Sequence, residues 1–333
     1  MRLGLVGAGE VAWRHAAAAA EVDGLTVTAV FDPVPERAAR LAEEYAARAV
    51  AGFDEVLAAV DLVVLAVPHG LHEGLALRAL AAGRKVLVEK PMATTVEECD
   101  RMIAAGLGGL GGLGEGGGAE SGGIEGGAVP GPADLVVGQQ GRFFEQVRAA
   151  RGELARLGRP LLYLDRRSTD YQRPDRPGWF ADPALSGGGI AMLVGVHSID
   201  RAAWLLGSAP VAVAGSTATP DGWSVETSAA ATLYLADGMR AHLTLIDSPV
   251  FFHETTIVCA RGTLVVDAEG LSVDGRRVLT VDGDREYTAS FRRQYRAILR
   301  GAPMATLAEG RLAVAAVRAW YRSAASGGAV VSV

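Results

Sequence analysis

The segment Leu3-Gly4-Leu5-Val6 runs without a break into Gly7-Ala8-Gly9-Glu10-Val11-Ala12, and that juncture constrains the fold more than any other. An apolar strand that empties into G-x-G-x-x-A and then a helix begins a βαβ unit built to hold a dinucleotide. Gly7 permits the tight turn, Gly9 lets the backbone approach a pyrophosphate, and Ala12 lets the helix lie close to the strand. Ala8, Glu10 and Val11 complete the turn, where the helix N-terminus stabilises the anion. Asp32 ends the next apolar run, Thr26–Phe31, at the spacing that reaches adenosine ribose hydroxyls. Its charge repels a 2′-phosphate, Pro33 and Val34 offer such a phosphate no partner, and Arg37 falls on the exposed face of the following helix. The expected cofactor is NAD, with NADP disfavoured.

The first half of the chain repeats this alternation. Apolar runs Leu62–Val67, Lys85–Val88 and Leu135–Val137 are separated by helical patterns near Val11–Glu21, Pro35–Ala47, Leu71–Ala82 and Val96–Ala105. Runs without alternation suit parallel strands buried on both faces. After residue 142 the pattern changes: helix Phe143–Leu154, strand Leu161–Asp165, a long helix Ile190–Leu206, then alternating strands between residues 211 and 267. Asp237-Gly238 and Asp274-Gly275 read as hairpin turns, and helices near Ser290–Arg300 and Leu307–Ala325 close the chain. The fold expected is α/β: a doubly wound parallel Rossmann domain over 1–141, and an α/β domain with a large open, mainly antiparallel sheet over 142–333. The 333-residue length is ample for two cores. Between residues 106 and 132 roughly half the residues are glycine, which predicts a flexible insertion in the first domain.

A net charge of −6 without a basic tail argues against nucleic acid or an anionic membrane as partner. No stretch approaches the ~20 apolar residues of a membrane span. Cys99 and Cys259 lie far apart without metal-ligand spacing, so no metal is expected and a reducing, cytoplasmic setting is.

A second motif points to the chemistry. Lys85-Val86-Leu87-Val88-Glu89-Lys90-Pro91 is a buried strand that stops at a proline, which has no N–H for a sheet ladder. Lys90 therefore stands at the carboxyl end of a strand, where open α/β sheets bind ligands.

These motifs, together with Ala66-Val67-Pro68 and His72, Trp179-Phe180-Ala181-Asp182-Pro183, Gly187-Gly188-Gly189 and Gly195-Val196-His197-Ser198-Ile199-Asp200, resemble the glucose-fructose oxidoreductase/inositol dehydrogenase (Gfo/Idh/MocA) family. The resemblance implies a Rossmann domain followed by a sheet domain that makes homodimer or homotetramer contacts. It also implies an NAD-dependent dehydrogenase acting on a secondary alcohol or ketone of a sugar, cyclitol or related polyol. By the same resemblance Lys90 and His197 are catalytic, and Pro68 and His72 line the nicotinamide side of the crevice, with Glu89 and Lys90 completing the cofactor contacts. A histidine suits removal of a hydroxyl proton, and a lysine suits stabilisation of the alkoxide.

One position departs from the family pattern. Many members carry aspartate four residues before the histidine, where this chain has Leu193. Leucine neither donates nor accepts a hydrogen bond, so another group must meet the substrate hydroxyl, or the protein is a catalytically silent dinucleotide or sugar sensor. Arg142, Tyr163 and Arg167 are the expected substitutes at the substrate. The tract from Arg166 to Arg173 reads equally as a reader of sugar hydroxyls or phosphate and as a polar surface loop. His69, His242 and His253 carry no assigned role, and Asp200, one turn below His197, is expected to be structural.

Overall fold

The computed structural model describes residues 1–108 and 134–333. Strands β1 (Arg2–Val6), β2 (Thr26–Phe31), β3 (Arg48–Ala49), β4 (Leu62–Leu65), β5 (Lys85–Glu89) and β6 (Leu135–Gly138) form a six-stranded parallel sheet in the order β3-β2-β1-β4-β5-β6. Helices α1 (Glu10–Ala20), α2 (Pro35–Glu44), α3 (Phe53–Ala59), α4 (His72–Ala81) and α5 (Val96–Gly108) cross between them. All four residues of β4 are buried, as a strand covered on both faces requires. The order reverses between β1 and β4, which opens a crevice at their carboxyl ends. β3 and α3 are absent from the sequence reading, because two and seven residues are too few to show a period. The expected glycine-rich insertion lies, beyond α5, outside the described residues.

The second sheet has nine strands. After α6 (Glu145–Leu157) and β7 (Pro160–Thr169) come a short helix α7 (Pro183–Ser186) and α8 (Val196–Leu206). Strands β8 (Pro210–Ala218), β9 (Ser228–Leu235), β10 (Arg240–Asp247), β11 (His253–Cys259), β12 (Gly262–Asp267), β13 (Gly270–Val273) and β14 (Arg276–Thr280) follow. Helices α9 (Gly283–Arg300) and α10 (Leu307–Ala325) and strand β15 (Val331–Ser332) complete the chain. The sheet order is β14-β13-β12-β11-β7-β10-β9-β8-β15, antiparallel except where β7 pairs with β10. The Asp274-Gly275 turn has φ of 50° and 75°, the left-handed pair a tight hairpin needs. It joins β13 to β14, two strands the sequence reading lacked. In β9 buried residues alternate with half-buried or exposed ones, so one face is covered by helices and the other is open.

Within Pro183–Leu206 an 18-residue window is apolar enough to pass for a membrane span, yet 67% of that window is buried inside the protein. The last helices do not stay with the second sheet. Phe291 and Tyr295 of α9 pack with Leu3, Leu5 and Ala12 in the first core, and Val314 of α10 packs with Val86 and Val137. The first domain is thus completed by residues near the end of the chain. Accordingly, Phe291→Ala should cost ~3–5 kcal/mol, the usual range for deleting a buried aromatic ring. Urea unfolding measures the loss, and hydrogen exchange should report it in β1.

Candidate active site

The crevice begins at Gly7. Its φ of +92° and its position 2.2 Å (as an added Cβ) from the Ala66 carbonyl oxygen exclude any side chain, and its N–H donates to the Phe31 carbonyl at 2.8 Å. No side chain caps α1 at Gly9, so the helix N-terminus is open to a cavity of about 410 Å³ that Gly9, Glu10 and Val11 line. Arg14, Arg173 and Arg176 stand on the same cavity, with Arg173 bonded to Glu10 at 3.1 Å. Asp32 is buried at the end of β2, where its carboxylate accepts from the N–H of Ala8 at 2.8 Å and of Val34 at 2.9 Å.

At the end of β5 two neighbours divide the work. Glu89 points back into the first domain, where its Oε1 lies 2.9 Å from His15 Nε2. His15 Nδ1 in turn meets the Tyr295 hydroxyl at 2.7 Å. Burial pushes the Glu89 carboxyl up, but the His15 contact and the Lys90 charge more than offset it. Lys90 points the other way: its Nζ donates to the Leu193 carbonyl at 2.9 Å. Burial lowers its pKa, Glu89 opposes and Arg167 adds to the lowering, and the balance stands at about 8. His72 holds this turn, since its ring nitrogens lie 2.9 Å from the Pro91 carbonyl and 3.1 Å from that of Val67.

The opposite wall comes from the second domain. Gly189 admits no Cβ, which would fall 1.8 Å from the Glu226 carbonyl oxygen. That contact lets the Glu226 carboxylate accept from the N–H groups of Gly189 at 2.9 Å and Ala191 at 3.0 Å, while the Tyr321 hydroxyl donates to it at 2.8 Å. A single π-helical turn, Ala191–Gly195, follows before α8; such turns recur at functional sites. It carries Leu193 and delivers His197 to the cavity. Burial, then Lys90, Arg167 and Arg201, hold the His197 imidazole well below its ordinary pKa, so it is neutral near pH 7.

One cavity therefore gathers Gly9, Glu10, Val11, Pro68, His72, Glu89, Lys90, Leu193 and His197 from the sequence-derived set. Arg142 and Arg167 line a second cavity of about 270 Å³ that shares His197 with the first. Arg142 is committed there: its guanidinium bonds Asp200 at 2.9 Å and Glu309 at 3.1 Å. Tyr163, expected at the substrate, is instead fully buried in the second core and lines neither cavity: it shares a face of β7 with Arg167 but sits four residues farther from the strand's carboxyl end. Several residues escaped sequence reasoning. His69 lines the first cavity, with Nδ1 2.8 Å from the Ser186 carbonyl, and its ring meets Trp179 edge-on at 5.0 Å. Gln140 and Tyr287 line both cavities, and His253 the second. Only the aromatic cluster at Trp179 left a signal in the sequence; the others come from short turns, the start of β11 and the distant helix α9. Among the described residues, no group of three His, Cys, Asp or Glu is placed to hold a metal ion.

Residues 1–106 match the family model described as oxidoreductase family, NAD-binding Rossmann fold, and residues 152–265 match the GFO/IDH/MocA C-terminal domain. The chain belongs to this family. Among curated members it is 32% identical over 214 residues to inositol 2-dehydrogenase 2 of Saccharopolyspora erythraea, covering 62% of this chain and 54% of that protein. It is 39% identical over 103 residues to UDP-N-acetylglucosamine 3-dehydrogenase of Acidithiobacillus ferrooxidans, covering 31% of this chain and 32% of the relative. The alignments thus span only about a third to a half of those relatives' lengths. Among solved structures, GenD2 from gentamicin A biosynthesis, in complex with NAD, superposes with a TM-score of 0.84 at 23% identity, covering 100% of this chain and 96% of that one. Levoglucosan dehydrogenase, in complex with NADH and levoglucosan, gives 0.83 at 19% identity, covering 100% and 99%. These establish the fold.

The Gfo/Idh/MocA crevice in this chain fits a dinucleotide on its own evidence. The open α1 N-terminus, a Gly9 at which an added Cβ meets nothing within 4 Å, and the arginines at 14, 173 and 176 are what a pyrophosphate requires. The His15–Glu89 contact is a further test of how the site is built. Removing the imidazole leaves the buried Glu89 carboxylate without this hydrogen-bond partner, so His15→Ala should destabilise the protein by ~1–3 kcal/mol. Thermal or urea unfolding checks this, and a loss below 1 kcal/mol would show that Glu89 is held by other means.

Proposed function

We propose that this protein is an NAD-dependent oxidoreductase that moves a hydride between nicotinamide and a secondary alcohol or ketone of a sugar, cyclitol or related polyol. The observation that carries this reading is the convergence of Lys90 and His197 on one cavity beside the open N-terminus of α1. Gly7, Ala8, Gly9, Glu10 and Val11 would cradle the pyrophosphate, Asp32 would accept from the ribose hydroxyls, and Pro68 with His72 would line the nicotinamide side. The dinucleotide supplies the hydride acceptor. His197, neutral near pH 7, would accept the substrate hydroxyl proton, and the Lys90 ammonium would stabilise the alkoxide in a site shielded from water.

Gln140 bears on the alternative of a silent sensor. Its buried Oε1 has no hydrogen-bond partner among the described residues, and it lines both cavities next to His197. It would supply the acceptor for a substrate hydroxyl that Leu193 lacks, which favours the enzyme. We also propose a homodimer or homotetramer assembled through the open face of the second sheet, where Leu162, Leu164, Ile246 and Val258 point outward. Two free, buried cysteines agree with a cytoplasmic setting.

NADH absorbance with a panel of polyols tests the activity. Lys90→Ala and His197→Ala should each lower turnover by roughly 10²–10⁴-fold. In wild type, kcat/KM should stay flat well below pH 6.5, because His197 remains neutral there, and should fall above about pH 8 as Lys90 loses its proton. Equal turnover in both variants and wild type would overturn the assignment. Calorimetry should give NAD(H) at least tenfold tighter than NADP(H), ~1.4 kcal/mol, with Asp32→Ala narrowing the gap; a preference for NADP(H) would remove Asp32 from the ribose site.

A further inference from the structure

The second cavity is lined by three arginines whose carboxylate partners are unevenly distributed. It opens beyond His197 and includes none of the dinucleotide turn, so a pyrophosphate at Gly9 does not reach it. Arg142 is satisfied by Asp200 and Glu309. Arg167 and Arg201 share what remains. Arg167 Nε donates to Asp165 Oδ2 at 2.8 Å, and the other Asp165 oxygen accepts from the Thr255 hydroxyl at 2.6 Å. Arg201 Nη1 contacts His253 Nε2 and Thr255 Oγ1 and forms no ion pair among the described residues.

Three guanidinium groups face three carboxylates, but Asp200 and Glu309 both bond Arg142, so Asp165 is the ion-pair partner of Arg167 and Arg201 is left without a direct one among the described residues. Burial pushes the Asp165 carboxyl up, but Arg167, His253 and Arg201 outweigh it, so Asp165 is ionised and already counted. His253 contributes no charge near pH 7, since burial, Arg167 and Arg201 hold it well below its ordinary pKa. Burial and Arg167 bring Arg201 down to about 10, against the opposing pull of Asp165 and Asp200. Arg167 is nine-tenths buried, and its Nη2 has no hydrogen-bond partner among the described residues. A buried cation with an idle donor is costly unless something completes it. Phe251 and Phe252, both exposed, form an apolar rim on the same cavity.

We propose that this compartment binds an oxyanion carried by the substrate, so that the molecule oxidised or reduced at His197 is an acidic sugar or cyclitol, bearing a carboxylate or a phosphate, rather than a neutral polyol. The proposal rests on the dehydrogenase reading for its reaction but not for its binding. Planar guanidinium groups suit either anion, because both present paired oxygens to a fork of N–H donors.

The test compares matched compounds on the NAD-loaded full chain: glucose, glucuronate and glucose 6-phosphate, and inositol against inositol phosphate. At least one anionic member should exceed its neutral parent tenfold in kcat/KM, and the preference should shrink as salt rises. Preference for the uronate identifies a carboxylate site, and preference for the phosphates a phosphate site. Arg167→Gln should cut the acidic-to-neutral ratio at least tenfold, and Arg167→Lys should restore part of it. Calorimetry of the same compounds keeps the question separate from turnover. If nothing is oxidised yet an anionic member binds at least tenfold tighter than its parent in a way that Arg167→Gln abolishes, the anion site stands and the dehydrogenase reading falls. Neutral compounds bound and turned over as well as their acidic partners would overturn the proposal whatever Arg167→Gln does.

Discussion

The Lys90 ammonium ties the two halves of this molecule into one site. It leaves the end of β5 in the first sheet and donates to the Leu193 carbonyl at the start of the helix that carries His197. Everything that sets the crevice bears on this bond. Glu89 holds the strand end from behind, through His15 and Tyr295, and His72 clamps the turn at Pro91 and Val67. On the far side, Glu226 and Tyr321 fix the backbone from Gly189 to Ala191. A half-buried amine with one carbonyl partner has two N–H groups left for a ligand. That is an arrangement suited to holding an oxygen whose charge grows during reaction.

Leu193 gains a different meaning in this setting. As a side chain it makes one edge of the cavity apolar. As a backbone residue it supplies the oxygen that orients Lys90, a role indifferent to side-chain identity. The departure from the family pattern therefore removes a polar side chain from the cavity edge without disturbing the lysine. The acceptor that remains nearby is Gln140, which reaches the same space from the short turn Gln140–Phe143. Beyond it the first cavity gives way to a compartment bounded by Arg167, Arg201 and His253.

Much of this was legible in the chain. The turn at Gly7, the strand end at Lys90 and the alternation of apolar runs are local features, and each follows from steric or hydrogen-bonding rules that act within a few residues. The short elements Arg48–Ala49 and Phe53–Ala59 were not legible, because too few residues carry a period. Nor was the parallel pairing of β7 with β10, which depends on the path of the chain between them. Tyr163 illustrates the limit within a strand: a period of two gives it the same face as Arg167, but its depth along β7 places it in the core and Arg167 at the cavity.

The sequence by itself determined the nucleotide-binding turn, the family, and the identities of the lysine and histidine, since these reside in contiguous motifs whose backbone requirements are short-range. Tertiary structure alone decided which charges meet. His15, Glu89 and Tyr295 are brought together from three distant segments, Arg142 is consumed by Asp200 and Glu309, and Asp165 pairs with Arg167 while Arg201 contacts His253 and Thr255 instead. Coulombic partnership depends on separation in space, and no spacing along a chain encodes it.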